Sequence, residues 1–152
     1  MRRSEREVTG FDEITDILRR ADTIRLGLHA EPYPYVVPLS FGFETDGDKI
    51  IVYFHGAKEG LKCDLIKRNA NVCVEADIFR RYADGDPTTE YESFIGFGAA
   101  RLVTGGEAER GVGLMLEHCG YAGFEYDRAY LTERTAIYKI TLDSFTGKRH
   151  LK

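Results

Sequence analysis

The stretch Tyr35–Lys62 constrains the fold of this chain more than any other. It holds two runs of β-branched and aromatic residues with the dipeptide Asp46-Gly47 between them. Such a turn between apolar runs predicts an antiparallel hairpin. The second run passes directly into a helical pattern that carries Lys58 and Lys62 in its opening turns. The stretch therefore predicts a β-hairpin that ends abruptly in a helix.

The two lysines at the start of this helix conflict with the helix dipole. Each would cost about 0.3–1 kcal/mol there, whereas a charge-assisted hydrogen bond to a phosphate contributes about 1.5–3 kcal/mol. Because Lys58 and Lys62 are four residues apart, they are expected to project from one helical face and to bind the same anion, together with amides near Gly56. They are equally compatible with solvated surface lysines, whose cost Glu59 would reduce.

Period-two alternation of apolar residues predicts six strands. Three helical patterns accompany them. The first follows the N-cap residue Thr9, and the third follows Thr104, which is expected to form a capping box with Glu107. Each of these two helices is expected to have one apolar stripe: Phe11, Ile14, Ile17 and Leu18 in the first, and Ala108, Val112, Met115, Leu116 and Cys119 in the third. Most connections are short, which predicts one mainly β domain over residues 1–152, a six-stranded antiparallel barrel, closed or nearly closed, with peripheral helices. The predicted strands are Ile24–Leu28, Tyr35–Phe43, Lys49–Phe54, Asn71–Phe79, Tyr91–Val103 and Thr135–Leu142.

Three further features leave alternatives open. Pro38 cannot donate to a strand ladder, so its strand is an edge, contains a bulge or faces a ligand with its backbone. The small residues at positions 96, 98, 99 and 100 suit either a barrel corner or the wall of a ligand site. The irregular aromatic segment Gly120–Arg134, which includes Tyr130, is expected to cover a pocket or a subunit contact.

Composition excludes several classes of function. A net charge of −4 argues against sequence-independent binding to nucleic acid. No apolar run approaches 18 residues and no signal peptide is present, so no membrane segment is expected and a cytoplasmic location is predicted. The cysteines Cys63, Cys73 and Cys119 lack CxxC spacing, which disfavours a zinc site or a disulfide framework. Neither GxGxxG nor a P-loop is found.

Several segments together resemble a known family. They are Arg2-Arg3 with Glu7, Tyr35–Phe41, Tyr53–Lys62, Asn71–Glu75, Tyr91–Gly98 and Thr146–Lys148. In this order they resemble the pyridoxamine 5′-phosphate oxidase-like split barrels. Within that superfamily the chain is most similar to the flavin-nucleotide-binding group that includes the Nim-type nitroimidazole reductases, and the segment His55–Lys62 is the most specific match.

The resemblance implies a homodimer with FMN, or FAD in its place, at the subunit interface. It implies that the backbone of residues 37–40 lines the isoalloxazine, that Lys58 and Lys62 bind the phosphate with Ser93 as a further donor, and that His55 lies beside the flavin as a tentative catalytic residue. His55 is also compatible with a structural hydrogen bond. The implied cofactor-binding set is Val37, Pro38, Leu39, Ser40, Phe54, His55, Ala57, Lys58, Lys62, Ser93 and Lys148.

The C-terminal residues Lys148 and Arg149 have two interpretations. They either reach the partner's site in the implied dimer or form a solvated basic tail. The residues beyond the implied phosphate lysines show no basic pocket, which gives no support for pyridoxamine 5′-phosphate as a substrate.

The sequence contains no nucleophile–base pair, no carboxylate pair and no metal cluster at recognisable spacing, so a cofactor is expected to perform the chemistry. Three hypotheses follow. The first is an FMN-dependent oxidoreductase that reduces small electron-poor acceptors such as nitroaromatics. The second is a flavin-binding module without turnover. The third is a haem-binding relative in which His55 or His150 ligates iron.

Overall fold

The computed structural model describes residues 3–85, 87–127 and 133–151. A short 3₁₀ helix, Ser4–Arg6, precedes three α-helices and eight strands within these residues. The helices are α1 (Phe11–Arg20), α2 (Leu61–Arg68) and α3 (Gly105–His118). The strands are β1 (Glu7–Val8), β2 (Ile24–Leu28), β3 (Tyr35–Leu39), β4 (Phe41–Asp46), β5 (Lys49–Ala57), β6 (Asn71–Tyr82), β7 (Thr89–Val103) and β8 (Thr135–His150).

The strands form one antiparallel sheet in the order β3-β2-β6-β7-β8-β5-β4, with β1 added to the end of β8. The two strands at the ends of this order, β3 and β4, are consecutive in the chain and meet at Ser40. The sheet therefore curls until its ends approach each other, but β3 and β4 do not pair along their length. A barrel that remains open between the first and last strands of its sheet is a split barrel, as the sequence predicts.

The barrel interior is filled by alternate residues of the strands, because successive side chains of a strand point to opposite faces. Phe41, Val52, Phe54, Phe94 and Ile140 are all fully buried there. The helix α1 packs against this core through its predicted apolar stripe, of which Ile14, Ile17 and Leu18 are buried. These burials confirm the amphipathic pattern of the first helix.

The helix α3 packs on the outer face of the sheet over a second, smaller core. A Cβ at Gly42 would lie 2.4 Å from the backbone carbon of Leu114, and a Cβ at Gly111 would lie 2.6 Å from the ring of Tyr53. Both glycines are therefore required by close packing between the helix and the strands. This contact covers Ile137 and leaves the outer faces of β2, β6 and much of β7 uncovered.

Five of the six predicted strands have different bounds. Three differ by two or three residues at one end: β5 reaches Ala57, β6 reaches Tyr82 and β7 begins at Thr89. The other two differ more. The expected strand Tyr35–Phe43 is two strands, because the chain pairs with β2 as far as Leu39 and with β5 from Phe41 onwards. The expected last strand continues past Leu142 to His150, since β8 pairs with the long β7 on both sides of an irregularity at Phe97. With β1 these changes make eight strands instead of six.

Two predictions about helix N-caps are also corrected. The N-cap of α1 is Gly10 instead of Thr9. Thr104 is the N-cap of α3 but makes no side-chain capping bond, and the Glu107 side chain accepts hydrogen bonds from Arg101 and Lys139.

The apolar stripe of α3 and the segment after it also differ in part from expectation. Cys119, predicted to continue the stripe, is exposed. Tyr130, from the segment expected to cover a pocket, lies outside the described residues. No helix within the described ranges is long and apolar enough to cross a bilayer.

Candidate functional site

The split in the barrel begins where two strand edges diverge at Ser40. The strand β4 pairs with β5 from Phe41 opposite Phe54 to the hairpin turn, but β5 continues for three more residues, His55–Ala57, that pair only with β8. On the other side of Ser40, β3 pairs only with β2. Each of these segments therefore has one backbone edge without a neighbouring strand in the described chain, and the two edges flank the opening.

The β3 side of the split presents backbone more than side chains. Val37 and Leu39 lie opposite the buried Leu26 and Ile24, so their side chains pack against the core. Pro38, which has no N–H, occupies an edge strand. The edge alternative for Pro38 is thus confirmed, and any group bound here would meet main-chain atoms.

The β5 side of the split carries a half-buried lysine. Lys62 Nζ donates to the carbonyl oxygen of His55 at 3.4 Å and lies 5.4 Å from the centre of the Phe54 ring. A Cβ at Gly56 would lie 2.8 Å from Lys62 Nζ, so a larger residue there would displace the ammonium. No ion pair joins Lys62 to a carboxylate among residues 3–85, 87–127 and 133–151.

Burial and charge act together on the two basic groups of this site. Burial lowers the pKa of Lys62 below its ordinary value. Burial, followed by the charge of Lys62, lowers the pKa of His55, although part of the His55 side chain reaches the surface. His55 is therefore a neutral imidazole near pH 7, with one donor and one acceptor nitrogen. An anion bound beside Lys62 would favour the charged form of both groups.

The helix α2 begins at Leu61, three residues after Lys58, so only Lys62 lies in its first turn. The expectation that both lysines share one helical face is wrong. The reason is Gly60, whose φ of 119° is open mainly to glycine and ends the bend between β5 and the helix. Lys58 lies in this bend and lines a separate cavity beside β8.

Phe54 and Ala57 complete the β5 side. Phe54 is fully buried and stacks on Tyr138 with 5.0 Å between ring centres, so its side chain belongs to the barrel core. Ala57, at the exposed end of the strand, accepts a hydrogen bond from the Cys63 thiol through its carbonyl at 2.9 Å. These contacts fix the end of β5 against α2.

Ser93 and Lys148 lie opposite each other on β7 and β8, on the outer face of the sheet. The ammonium of Lys148 lies 5.6 Å from the centre of the Tyr91 ring. Two strands separate β7 from β3, so Ser93 is about 14 Å from β3 at the usual strand spacing. A single chain therefore does not bring these two residues to the split.

The same outer face exposes a row of apolar side chains. Val36, Gly27, Cys73 and Phe97 lie directly opposite one another across β3, β2, β6 and β7. Val36 is 59% exposed and Phe97 is 53% exposed. Ile95 lies in the next row, and Phe79 lies two rows further along β6, beyond Asp77; both side chains are exposed. We call this surface, defined by Val36, Phe79, Ile95 and Phe97, the apolar outer face.

Glu92 is the charged residue that sequence reasoning missed. Its side chain is only 2% exposed and accepts hydrogen bonds from Arg20 at 2.7 Å, Arg80 at 2.6 Å and Arg149 at 2.7 Å. The hydrogen bond from Arg20 is the largest cause that lowers the pKa of Glu92 to about 2. Arg149 is therefore an internal partner and not a solvated tail. The alternation around Phe94, which also faces inward, was the available signal for a buried Glu92.

The two histidines considered as iron ligands lie at opposite ends of β8. His55 is opposite Ile137 at its start, and His150 is near its end, about 40 Å away along an extended strand. His150 lies 3.5 Å from the guanidinium of Arg6. Within the described ranges, no cluster of three or more His, Cys, Asp or Glu side chains could hold a metal ion.

Comparisons with known proteins extend this description. Residues 11–149 match the family model for pyridoxamine 5′-phosphate oxidase. A candidate 5-nitroimidazole antibiotic resistance protein of Bacteroides thetaiotaomicron is 25% identical, with a TM-score of 0.80, over 93% of this chain and 85% of that one.

Two more distant structures share the fold. A FAD-binding protein of Mesorhizobium loti is 18% identical, with a TM-score of 0.68, over 96% of this chain and 98% of that one. A FAD- and haem-binding protein of Mycobacterium smegmatis is 15% identical, with a TM-score of 0.73, over 97% of this chain and 74% of that one. A search of curated protein sequences finds no match.

Proposed function

The chain belongs to the pyridoxamine 5′-phosphate oxidase family, and we propose that it is an FMN-dependent oxidoreductase that reduces small electron-poor acceptors such as nitroaromatics. The match confirms the resemblance expected from the motifs. One observation supports the proposal above all: two unpaired backbone edges flank the split, with the ammonium of Lys62 at the end of one of them. A flat, hydrogen-bonding ring joined to a phosphate suits such a site.

The residues around the split fit a flavin phosphate. Lys62 has no carboxylate partner in the described chain, and burial already disfavours its charge. A phosphate would supply the missing counter-charge and accept hydrogen bonds from Lys62 and from Lys58 in the adjoining bend. The backbone of Val37–Ser40 would face the ring, because the side chains of Val37 and Leu39 already pack in the core. When bound, the flavin supplies electron transfer from a reductant to an acceptor.

His55 is the residue that we propose to lie beside the reacting ring. It follows directly on the last residue of β5 that β4 covers, and burial, followed by the charge of Lys62, lowers its pKa and favours the neutral imidazole in the free protein. A neutral imidazole can hold a proton on one nitrogen and accept one on the other. In this role His55 would orient the ring or an acceptor by hydrogen bonding.

We further propose that the protein is a homodimer through the apolar outer face. The row from Val36 to Phe97 exposes large apolar side chains, and exposed apolar patches often mark protein–protein contacts. The implied flavin ligands Ser93 and Lys148 lie at the border of the same surface but far from the split of their own chain. A second copy packed on this face would bring its own Ser93 and Lys148 towards the split, which would complete the site.

A haem-binding function is less well supported by the geometry. His55 and His150 do not converge in one chain, and His150 contacts Arg6. The FAD- and haem-binding neighbour is too distant in sequence to carry more than the fold. A flavin-binding module without turnover would use the same split, so only a kinetic measurement separates it from the enzyme.

The test of the proposal is the visible absorption spectrum of the freshly purified protein, followed by identification of the molecule that heat releases. Flavin bands with released FMN are expected, and reductant-driven turnover of nitro, quinone or flavin acceptors should then be measurable. Flavin bands without any turnover would support the binding module. A Soret band, or a colourless protein that also refuses added FMN, would contradict the proposal.

A further inference from the structure

A cavity of about 420 Å³ lies beside β8, one strand away from the split. The ends of β7 and α2, the start of β8 and the start of α3 enclose it together with the bend that holds Lys58. Its volume falls within the range of about 300–1,000 Å³ that is typical of small-ligand sites. Nothing in the flavin site described above occupies it.

The walls of this cavity are apolar and its charges are positive. Leu102, Ile137 and Tyr138 form much of the wall, and Leu102 remains 56% exposed. Lys58 and Lys67 contribute the two charged side chains of the lining. In the part of the chain that the structure describes, neither lysine forms an ion pair with a carboxylate. An apolar wall beside two unpaired ammonium groups suits a flat ring that carries an anionic group.

Lys58 connects this cavity to the split. It follows β5 directly, and Ala57, at the end of β5, pairs with Thr135, which lines the cavity at the start of β8. Adjacent strands lie about 4.8 Å apart, so a phosphate held by Lys58 would lie next to the cavity. A ligand that continues past this phosphate would enter the cavity, where Lys67 can bind a second phosphate.

We propose that the cavity binds the adenosine phosphate half of a dinucleotide, an inference that rests on the proposed flavin site. The ring would lie against Leu102 and the wall around Ile137, and Lys58 and Lys67 would bind the phosphates. The same chemistry occurs in two molecules: FAD bound in place of FMN, and a nicotinamide adenine dinucleotide that delivers electrons to a bound FMN. The cavity would therefore determine either whether the chain binds FAD or FMN, or which electron donor it uses.

The first test uses AMP alone, titrated calorimetrically into the full-length protein, so that it does not depend on flavin binding. Wild-type protein should bind AMP, and Lys67→Ala should weaken that binding about three- to tenfold, with a larger loss in Lys67→Glu at low salt. Lys67 is exposed, so neither variant should affect folding. Lys49→Ala, which removes an exposed lysine in the β4–β5 hairpin, is the matched control and should bind AMP like the wild type.

The second test separates the two sources. If FAD is the ligand, Lys67→Ala should lower the affinity of flavin-free protein for FAD about three- to tenfold and change that for FMN less than about twofold. If the donor is the ligand, both flavin affinities should stay unchanged and the KM for NADH or NADPH should rise. Failure to bind AMP, or equal effects of Lys67→Ala and Lys49→Ala on every ligand, would overturn the proposal. If the wild-type protein does not bind FMN, the result would instead contradict the proposed flavin site.

Discussion

Two regions of this molecule concentrate positive charge, and only one of them contains its own counter-charge. Around Glu92, the guanidinium groups of Arg20 and Arg149 also bind Asp16 and Glu13, so that nearly every charge has a partner within the chain. In the connection between β5 and α2, neither Lys58 nor Lys62 forms an ion pair in the described chain. The charges of the first region are balanced within the chain, whereas the two lysines of the second region have no ion-pair partner in the described residues.

This difference distinguishes charges that stabilise the fold through internal ion pairs from charges that are available to a ligand. The buried carboxylate of Glu92 joins α1, β6, β7 and β8. Its loss would remove the carboxylate partner of Arg80 and leave Arg20 and Arg149 with only the more exposed Asp16 and Glu13. Lys62 holds no other element in place by an ion pair, and burial works against its charge. Shifted pKa values occur in both regions, so a shift alone does not identify a functional site. A half-buried lysine without an internal ion-pair partner, such as Lys62, is the stronger candidate for binding an anion.

The largest expected effect comes from Glu92→Gln. This change leaves the arginines around a buried neutral amide, so we expect the free energy of unfolding to fall by about 3–5 kcal/mol. At this chain length the melting temperature should fall by about 6–15 °C. Glu13→Gln is the matched control, because Glu13 binds the same Arg149 but its side chain is 56% exposed. It should cost less than about 1 kcal/mol, and an equal loss in both variants would contradict the structural role of Glu92.

The contribution of Glu92 should also appear in the pH dependence of the free energy of unfolding. Its pKa is about 2 in the folded chain against an ordinary value of 4.5, so folding favours the ionised form. The stabilisation is fully present above pH 4.5 and is lost as the pH falls towards 2, for a total of about 3 kcal/mol. Urea unfolding of the wild type and of Glu92→Gln across this interval measures the difference. Parallel curves for the two proteins would show that Glu92 does not contribute it.

A smaller effect should appear in the connection between β5 and α2. The pKa values of Lys62 and His55 are lowered in the free protein, and a bound phosphate favours their charged forms. FMN binding should therefore take up protons, and FMN affinity should fall as the pH rises through the range in which the two groups lose their protons. Calorimetry in two buffers of different ionisation enthalpy counts the protons. Riboflavin, which lacks the phosphate, should show no such uptake; equal uptake for both flavins would be inconsistent with a phosphate at Lys62.

Much of the fold could be predicted from the sequence, because strong local patterns determine it. The stripe of α1 and the alternation in β2 and β7 depend on neighbouring residues alone, and they are confirmed. The break at Ser40 could not be found in this way, since the run Tyr35–Phe43 is mostly apolar on both sides of Ser40 and only its change of pairing partner divides it. The long β8 was missed for a similar reason: its last residues are polar and pair with the distant β7.

For the candidate site, the sequence indicated which residues to consider but not their geometry. The segment His55–Lys62 indicated an anion site, and the structure places Lys62 at the split. The position of Lys58 could not be predicted, because the left-handed φ of Gly60 delays the helix by three residues. Arg149 could not be assigned either, since its partner Glu92 is 57 residues away in the chain.

The most direct test of the unpaired lysines is the affinity of flavin-free protein for FMN and for riboflavin, measured in the wild type, Lys58→Ala, Lys62→Ala and Lys49→Ala. We expect each of the first two variants to weaken FMN binding by about 1.5–3 kcal/mol, roughly ten- to a hundredfold, because each removes a charge-assisted bond to the phosphate. Riboflavin affinity should be unchanged in both, and Lys49→Ala should resemble the wild type. Unchanged FMN affinity in both Lys58→Ala and Lys62→Ala would contradict the claim that these lysines bind a flavin phosphate.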